Sequence, residues 1–205
     1  MSGLSTRAIS RAAVRQELAA VALPRFVDVG FDAVTFDDLA GAAGVSRSTF
    51  LRYFASKEDV VLHVFDPLGE QMTAALAARP QAEEDWTVLR RAVDPAVQLI
   101  AADPEAGLTL LRLVWSTPAL WAGLHEKHGS WRPPLVDLLV QRSTASAAQA
   151  PALLAVRTRV MAALGCLMVA FDAWIESGGT QPLDALTDGA FAALAPSGGE
   201  SPRSR

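Results

Sequence analysis

From residue 11 to residue 194, apolar residues in this chain recur three and four positions apart, and runs that alternate apolar with polar are nearly absent. That spacing lines up one face of an α-helix, whereas a half-buried strand needs a period of two. The chain is therefore read as all-α, with about nine helices. Prolines divide the periodic stretches. Pro104, Pro118, Pro151 and Pro182 stand at or near helix starts, where a missing N–H costs little, and Pro67 and Pro95 are expected to kink theirs. The longer spans delimited in this way are 11–29, 57–79, 84–102, 104–116, 118–128, 133–143, 151–177 and 182–194. Pro24 lies inside the first of them and is expected to kink or split it. Gly30 is placed to end that helix in a left-handed cap, with Phe31 folding back on the last turn.

Composition narrows the class. Hydrophobic residues make up 51% of 205, more than one small core needs, so part of that share is available for a ligand cavity or a subunit interface. The longest uncharged apolar run, Val160 to Phe171, is shorter than the roughly 18–20 residues a bilayer demands. Arg7, Arg11, Arg15 and Glu17 interrupt any secretory core. Cys166 is the single cysteine, so no internal disulfide forms, and its apolar flanks mark it as a small hydrophobe. These features fit a cytoplasmic protein without a membrane partner. The net charge of −4 argues against a general nucleic-acid coat protein. Residues 1–65, however, hold seven basic and seven acidic residues, so the acidity belongs to the remainder.

The stretch from Thr35 to Val60 carries the most information. Thr35 and Asp38 form a capping-box-like pair before a short helix with Phe36, Leu39, Ala40 and Ala43 on its inner face. Gly44-Val45 makes a tight turn, Ser46 caps a second short helix running to about Phe54, and Ser56 caps a third. Two short helices across a glycine turn, with alanines at their crossing, are the geometry of a helix-turn-helix. The second helix would then point its N-terminal side chains into a major groove. Arg47 suits guanine O6 and N7, while Ser48 and Thr49 suit base edges or a thymine methyl. Arg52 lies one turn on, within reach of base or phosphate. Ser46, Tyr53 and Lys57, with the Thr35 hydroxyl across the turn, suit the flanking backbone. Phe50 and Phe54, four apart, are expected to face inward.

The full string Thr35-Phe36-x-x-Leu39-Ala40-x-x-Ala43-Gly44-Val45-Ser46-x-x-x-Phe50-x-x-Tyr53-Phe54-x-x-Lys57-Glu58-x-Val60 resembles the DNA-binding signature of the TetR/AcrR family of transcriptional regulators, as does Phe26-x-x-x-Gly30-Phe31 before it. The match covers roughly residues 11–62; Phe50 stands where the family often has tyrosine and Val60 where leucine is common, and Pro24 is the unusual feature. The resemblance implies a three-helix DNA-binding domain over 1–62 and an antiparallel helical bundle over 63–195 for ligand binding and dimerisation. It also implies a homodimer, a palindromic operator and release by a small effector. Phe50-Leu51-Arg52-Tyr53-Phe54 and Ala173-Trp174-x-x-Ser177-Gly178 are loosely similar to the branch that binds acyl-CoA-like effectors. Residues 196–205 are rich in Gly, Ser and Pro and are read as a disordered tail.

The 151–177 helix is apolar nearly all round, so it is buried either within one subunit or, with 182–194, as half of a four-helix dimer interface. Ala162, Ala163, Gly165 and Ala170 allow close approach there, beside Trp174. Trp86, Trp115, Trp121, Met161, Met168 and Phe171 are candidates to line an effector cavity, with Asp172 and Arg112 to meet its polar parts. His125-Glu126-Lys127-His128 lacks the His-Glu-x-x-His zinc spacing, so no metal is assigned. No nucleophile-and-base set or phosphate-binding loop points to an enzyme or a cofactor. Two alternatives stay open: a DNA-binding regulator without a ligand, and a small-molecule-binding helical protein with a vestigial DNA module.

Overall fold

The computed structural model describes residues 6–142 and 150–195, with side chains over 11–142 and 152–195. The reading of 196–205 as a tail lies outside them, as does the side chain of Arg7. Among the described residues every regular element is helical: α1 (Thr6–Val29), α2 (Phe36–Ala42), α3 (Arg47–Leu51), α4 (Lys57–Leu62), a 3-10 turn (His63–Phe65), α5 (Leu68–Ala77), α6 (Asp85–Ala92), α7 (Asp94–Ala101), α8 (Pro104–Ser116), α9 (Pro118–Arg142), α10 (Ala150–Glu176) and α11 (Leu183–Ala193). The all-α expectation holds.

Several boundaries differ from the sequence reading, each for a local reason. Helix α1 runs unbroken through Pro24, whose ring is on the exposed side. The expected 57–79 helix divides at the 3-10 turn before Pro67. The expected 84–102 helix divides at Val93, which ends α6 and starts α7 just before Pro95. Conversely, the expected 118–128 and 133–143 helices are one, although Pro133 and Pro134 each remove a backbone donor. Buried Leu120, Leu124, Trp131, Leu135 and Leu139 recur along one stripe of α9, and their burial outweighs the lost bonds.

The chain forms two compact units. The first is Met1–Pro67 with Thr109–Lys127, and the second is Leu68–Leu108 with His128–Arg205. In the first, α1 packs on α2 and α4, and α2 on α3. Leu18, Ala22, Phe26, Phe31, Leu39, Phe50, Phe54, Val60 and Phe65 make its core, joined by Leu111, Val114, Leu120 and Leu124. Gly30 (φ +94°) caps α1 with its N–H on the Phe26 carbonyl at 3.0 Å, and the Phe26 and Phe31 rings lie 5.1 Å apart. Gly123 allows α9 to lie close on α4: a Cβ there would stand 2.5 Å from Leu62 Cδ1.

In the second unit α10 packs chiefly along α11, and both meet α6, while α11 also meets α7. The stretch Ala152–Glu176 has the length and hydropathy to cross a membrane, more than the run Val160–Phe171 suggested. Here Val156, Val160, Ala163, Leu164, Leu167, Ala170, Phe171 and Trp174 are buried on one side of it, while Leu154, Met161 and Val169 are exposed on the other. Cys166 is buried too, its thiol donating to the Ala190 carbonyl at 3.5 Å, and burial pushes its pKa up.

Gly107 of α8 lies against the Ile100 backbone, whose carbonyl oxygen and Cγ2 an added Cβ would overlap. Backbone cannot yield as a side-chain tip can, so Gly107→Ala is expected to cost about 1–3 kcal/mol, read as a lower thermal midpoint. Gly41→Ala, in open space within α2, should instead gain up to about 1 kcal/mol.

Candidate functional site

The geometry of α2, the turn and α3 follows from four local devices. Thr35 Oγ1 accepts the Asp38 N–H at 3.2 Å and donates to Asp38 Oδ2 at 2.6 Å, and the Thr35 N–H reaches the same oxygen at 2.8 Å. These bonds hold the Asp38 carboxyl below the usual carboxylate range. After α2, Gly44 takes φ +65° and Val45 N–H closes on the Ala40 carbonyl at 3.0 Å, a Schellman-type end. Ser46 Oγ then accepts the Thr49 N–H at 3.1 Å and opens α3. Phe50 and Phe54 are fully buried, 5.2 Å apart, so the opposite face of α3 is turned outward.

That outward face carries Arg47, Ser48, Leu51 and Arg52, all exposed, with Ser46 at its head. Arg47 stands 3.8 Å from the Asp37 carboxylate, both side chains exposed. Thr49 is half-buried, its hydroxyl 2.9 Å from Ser46 Oγ. Tyr53 lies between two guanidinium groups, Arg11 at 5.3 Å and Arg52 at 6.0 Å from the ring centre. Thus Ser46, Arg47, Ser48, Thr49, Arg52 and Tyr53 come together on one small surface.

Lys57 differs. Its ammonium donates to the carbonyls of Phe31, Asp32 and Val34 at 2.8, 3.2 and 3.0 Å and lies 4.9 Å from the Phe31 ring centre. All three donors are engaged inside the chain, clasping the α1–α2 connection to the start of α4. Thr35 likewise spends its hydroxyl on its own cap, beside Asp37 and Asp38.

The residues read as cavity-lining fall in both units. In the first, the Trp115 and Trp121 rings meet edge to face at 4.7 Å, Trp121 meets the His125 ring at 4.4 Å, and Arg112 is exposed. In the second, Trp86 donates to the Phe191 carbonyl at 3.0 Å, Phe171 is buried, Met168 is half-buried, and Met161 and Asp172 are exposed. Met161 Sδ accepts from Arg132. The second unit also holds an open cleft of about 640 Å³, lined by Val97, Ala101, Pro104, Trp174, the 179–183 turn and the Arg90 cluster. None of the eight cavity candidates lines it. Buried Arg90 binds Asp94, Asp188 and the Asp184 carbonyl. The Arg90/Asp94 spacing of four was visible in the sequence, but the Asp188 partner 98 positions away was not. Ala163, Ala170 and Trp174, read as interface residues, are buried within this unit and so closed to a second chain, because α10 turns that side inward. Gly165 is exposed and Ala162 half-buried.

A short capped helix offering arginine and hydroxyl groups outward from a compact helical unit defines a helix-turn-helix DNA-binding protein. Comparison with known proteins agrees. Residues 18–64 match the model described as bacterial regulatory proteins, tetR family, and residues 83–198 match the one described as MftR C-terminal domain. The transcriptional regulator TcmR of Streptomyces glaucescens is 35% identical over 126 residues, 58% of this chain and 55% of TcmR, so the match spans about half of that relative. MftR of Mycobacterium tuberculosis is 24% identical over 176 residues, 86% of this chain and 87% of its own. The crystal structure of the transcriptional regulator FadR from Bacillus subtilis in complex with stearoyl-CoA shares the fold, with a TM-score of 0.62 at 19% identity, covering 87% of this chain and 96% of that one. The chain belongs to the TetR family of transcriptional regulators.

Lys57→Met should lower stability by about 1–3 kcal/mol, since three carbonyls lose a charged donor. The salt dependence of DNA binding should stay unchanged, whereas a phosphate contact would reduce the slope by about 0.9. His63 stands edge-on to Phe54 at 5.7 Å, and burial is the main cause that lowers its pKa from 6.5. The fold therefore favours the neutral ring. Its contribution is complete above about pH 6.5 and is lost as pH falls from there through the folded value, because the unfolded chain takes up the proton first. Thermal midpoints measured from pH 7.5 downward should show this fall, and His63→Gln should flatten it.

Proposed function

We propose that this regulator is a homodimeric repressor that lays α3 of each subunit in successive major grooves of a palindromic operator and is released by a small apolar or acyl-type effector. The observation that carries this reading is the outward face of α3, where unburied Arg47, Ser48 and Arg52 stand on a helix fixed from behind by Phe50 and Phe54. Arg47 reads a guanine through a bidentate contact, and Ser48 and Thr49 read neighbouring base edges. Ser46, Arg52 and Tyr53 flank the backbone, while Lys57 and Thr35 brace the unit from within. In this reading residues 1–62 form the DNA-binding part, residues 63–195 bind the effector and dimerise, and the protein works in the cytoplasm.

Exposed Leu154, Met161, Gly165 and Val169 on α10, with Leu194 at the end of α11, support pairing of two copies along that face. The stearoyl-CoA in the FadR complex belongs to that protein, and it motivates testing long-chain acyl-CoA as the effector here. By linkage, an effector that weakens DNA binding is itself weakened by DNA to the same factor.

Gel shift with DNA from around the gene's own promoter, against scrambled competitor, tests the reading, and addition of stearoyl-CoA tests release. Arg47→Ala should cost about 1–3 kcal/mol on the operator and relax the preference at one base pair. Equal losses on every sequence would remove Arg47 from base reading.

A further inference from the structure

The segment that follows α3 is held from outside its own helix at several points. Arg11 donates to the Arg52 carbonyl at 2.7 Å and lies over Tyr53. One turn along the same face of α1, the Arg15 guanidinium lies 5.2 Å from the Phe54 ring centre. Asp59 accepts the Ala55 N–H at 3.0 Å through Oδ2 and binds Arg15 through Oδ1. Arg15 also binds a second carboxylate, Asp66 Oδ2, at 3.0 Å. The other oxygen of Asp66, Oδ1, takes the ammonium of Lys127 on α9. All these groups belong to the first unit. The Arg15, Asp59, Asp66 and Lys127 side chains are 26, 29, 37 and 24% exposed, so the charges are partly withdrawn from water and attract more strongly than fully exposed pairs.

The result is a continuous run of charged contacts from α9, through Asp66 and Arg15, to the exit of α3. Asp66 is acidic and sits beyond α4, so contact with phosphate does not account for it. Base reading does need what the run supplies, since contacting side chains must be held to within fractions of an ångström.

We propose that Asp66 is a positioning residue for DNA recognition: it fixes Arg15, and through Arg15 the exit of α3, and so makes the seating of the recognition helix depend on α9. This rests on the reading that α3 enters the groove. The sign of its effect is distinctive. Loss of a carboxylate by charge alone strengthens DNA binding, specific and non-specific alike. Loss of a positioning residue weakens the specific complex only.

The test uses the full-length protein, a duplex enriched from a random pool by the wild type, and a scrambled duplex of the same composition. Affinities are read by fluorescence anisotropy across a salt series, well below each variant's melting midpoint. Asp66→Asn should weaken binding to the enriched duplex by about tenfold, a size usual for residues that act through others. Binding to the scrambled duplex should stay equal or tighten, with an undiminished salt slope. Lys127→Met should move the same ratio in the same direction by a smaller factor, and Asp66→Glu should recover part of it. Equal or tighter binding of Asp66→Asn to both duplexes overturns the proposal, as do equal losses on both. Should Asp66→Asn not fold, Lys127→Met carries the test, and an unchanged ratio overturns it. Failure of the wild type to enrich any duplex instead overturns the DNA reading itself, which separates the two failures.

Discussion

A helix of five residues does not hold together by itself. Isolated helices below about 12–15 residues are marginal in water, because nucleation costs more than a turn or two of hydrogen bonds returns. Helix α3 (Arg47–Leu51) therefore depends on the burial of Phe50 and of Phe54 just beyond it. Each contributes about 1.5–3 kcal/mol of apolar burial. Their rings meet each other, and Phe36 and His63 close the group, the first 6.1 Å from Phe50 and the second 5.7 Å from Phe54. The outward placement of Arg47, Ser48 and Arg52 is the other side of that packing. The side chains on that face are chemically ordinary, and the shape of the surface that carries them is decided from behind.

Much of this was legible in the amino-acid order because the devices are local. Thr35 with Asp38, Gly44 with Val45, Ser46 with Thr49, and the spacing of Phe50 and Phe54 all act within five positions, where sequence and geometry are nearly the same statement. The phosphate reading of Lys57 shows where this stops. A lysine at the start of a helix looks solvent-facing, yet its three carbonyl partners lie 23 to 26 positions earlier. Arg15 belongs to the same case: its basic charge was visible, but its partners Asp59 and Asp66 are 44 and 51 positions away.

The helical bundle was harder to read for a different reason. An indole in a core and an indole in a cavity wall are buried by the same hydrophobic effect and leave the same trace in the sequence. Trp86 and Trp174 illustrate the ambiguity, one bonded to the Phe191 carbonyl and the other closing the floor of a cleft that none of the cavity candidates lines. Small residues on α10 raise a similar problem. Ala163 and Gly165 are two positions apart and point opposite ways, one packed inside and the other open. Near-uniform apolarity around α10 hides which side is which, so only its neighbours α11 and α6 decide it. Pro104, Pro118, Pro151 and Pro182 stand at or near helix starts as expected, but Pro133 and Pro134 are absorbed within α9, and Pro67 and Pro95 stand at breaks rather than kinks.

Cys166 has a practical side. It is the one thiol of the chain, covered by its own unit, and burial raises its pKa, which disfavours the reactive thiolate. Maleimides and nitroxide reagents attack thiolates at accessible positions, so the native chain presents them with almost nothing. A cysteine introduced at an exposed site such as Ser48 would therefore take a fluorophore or spin label selectively, with Cys166 left in place.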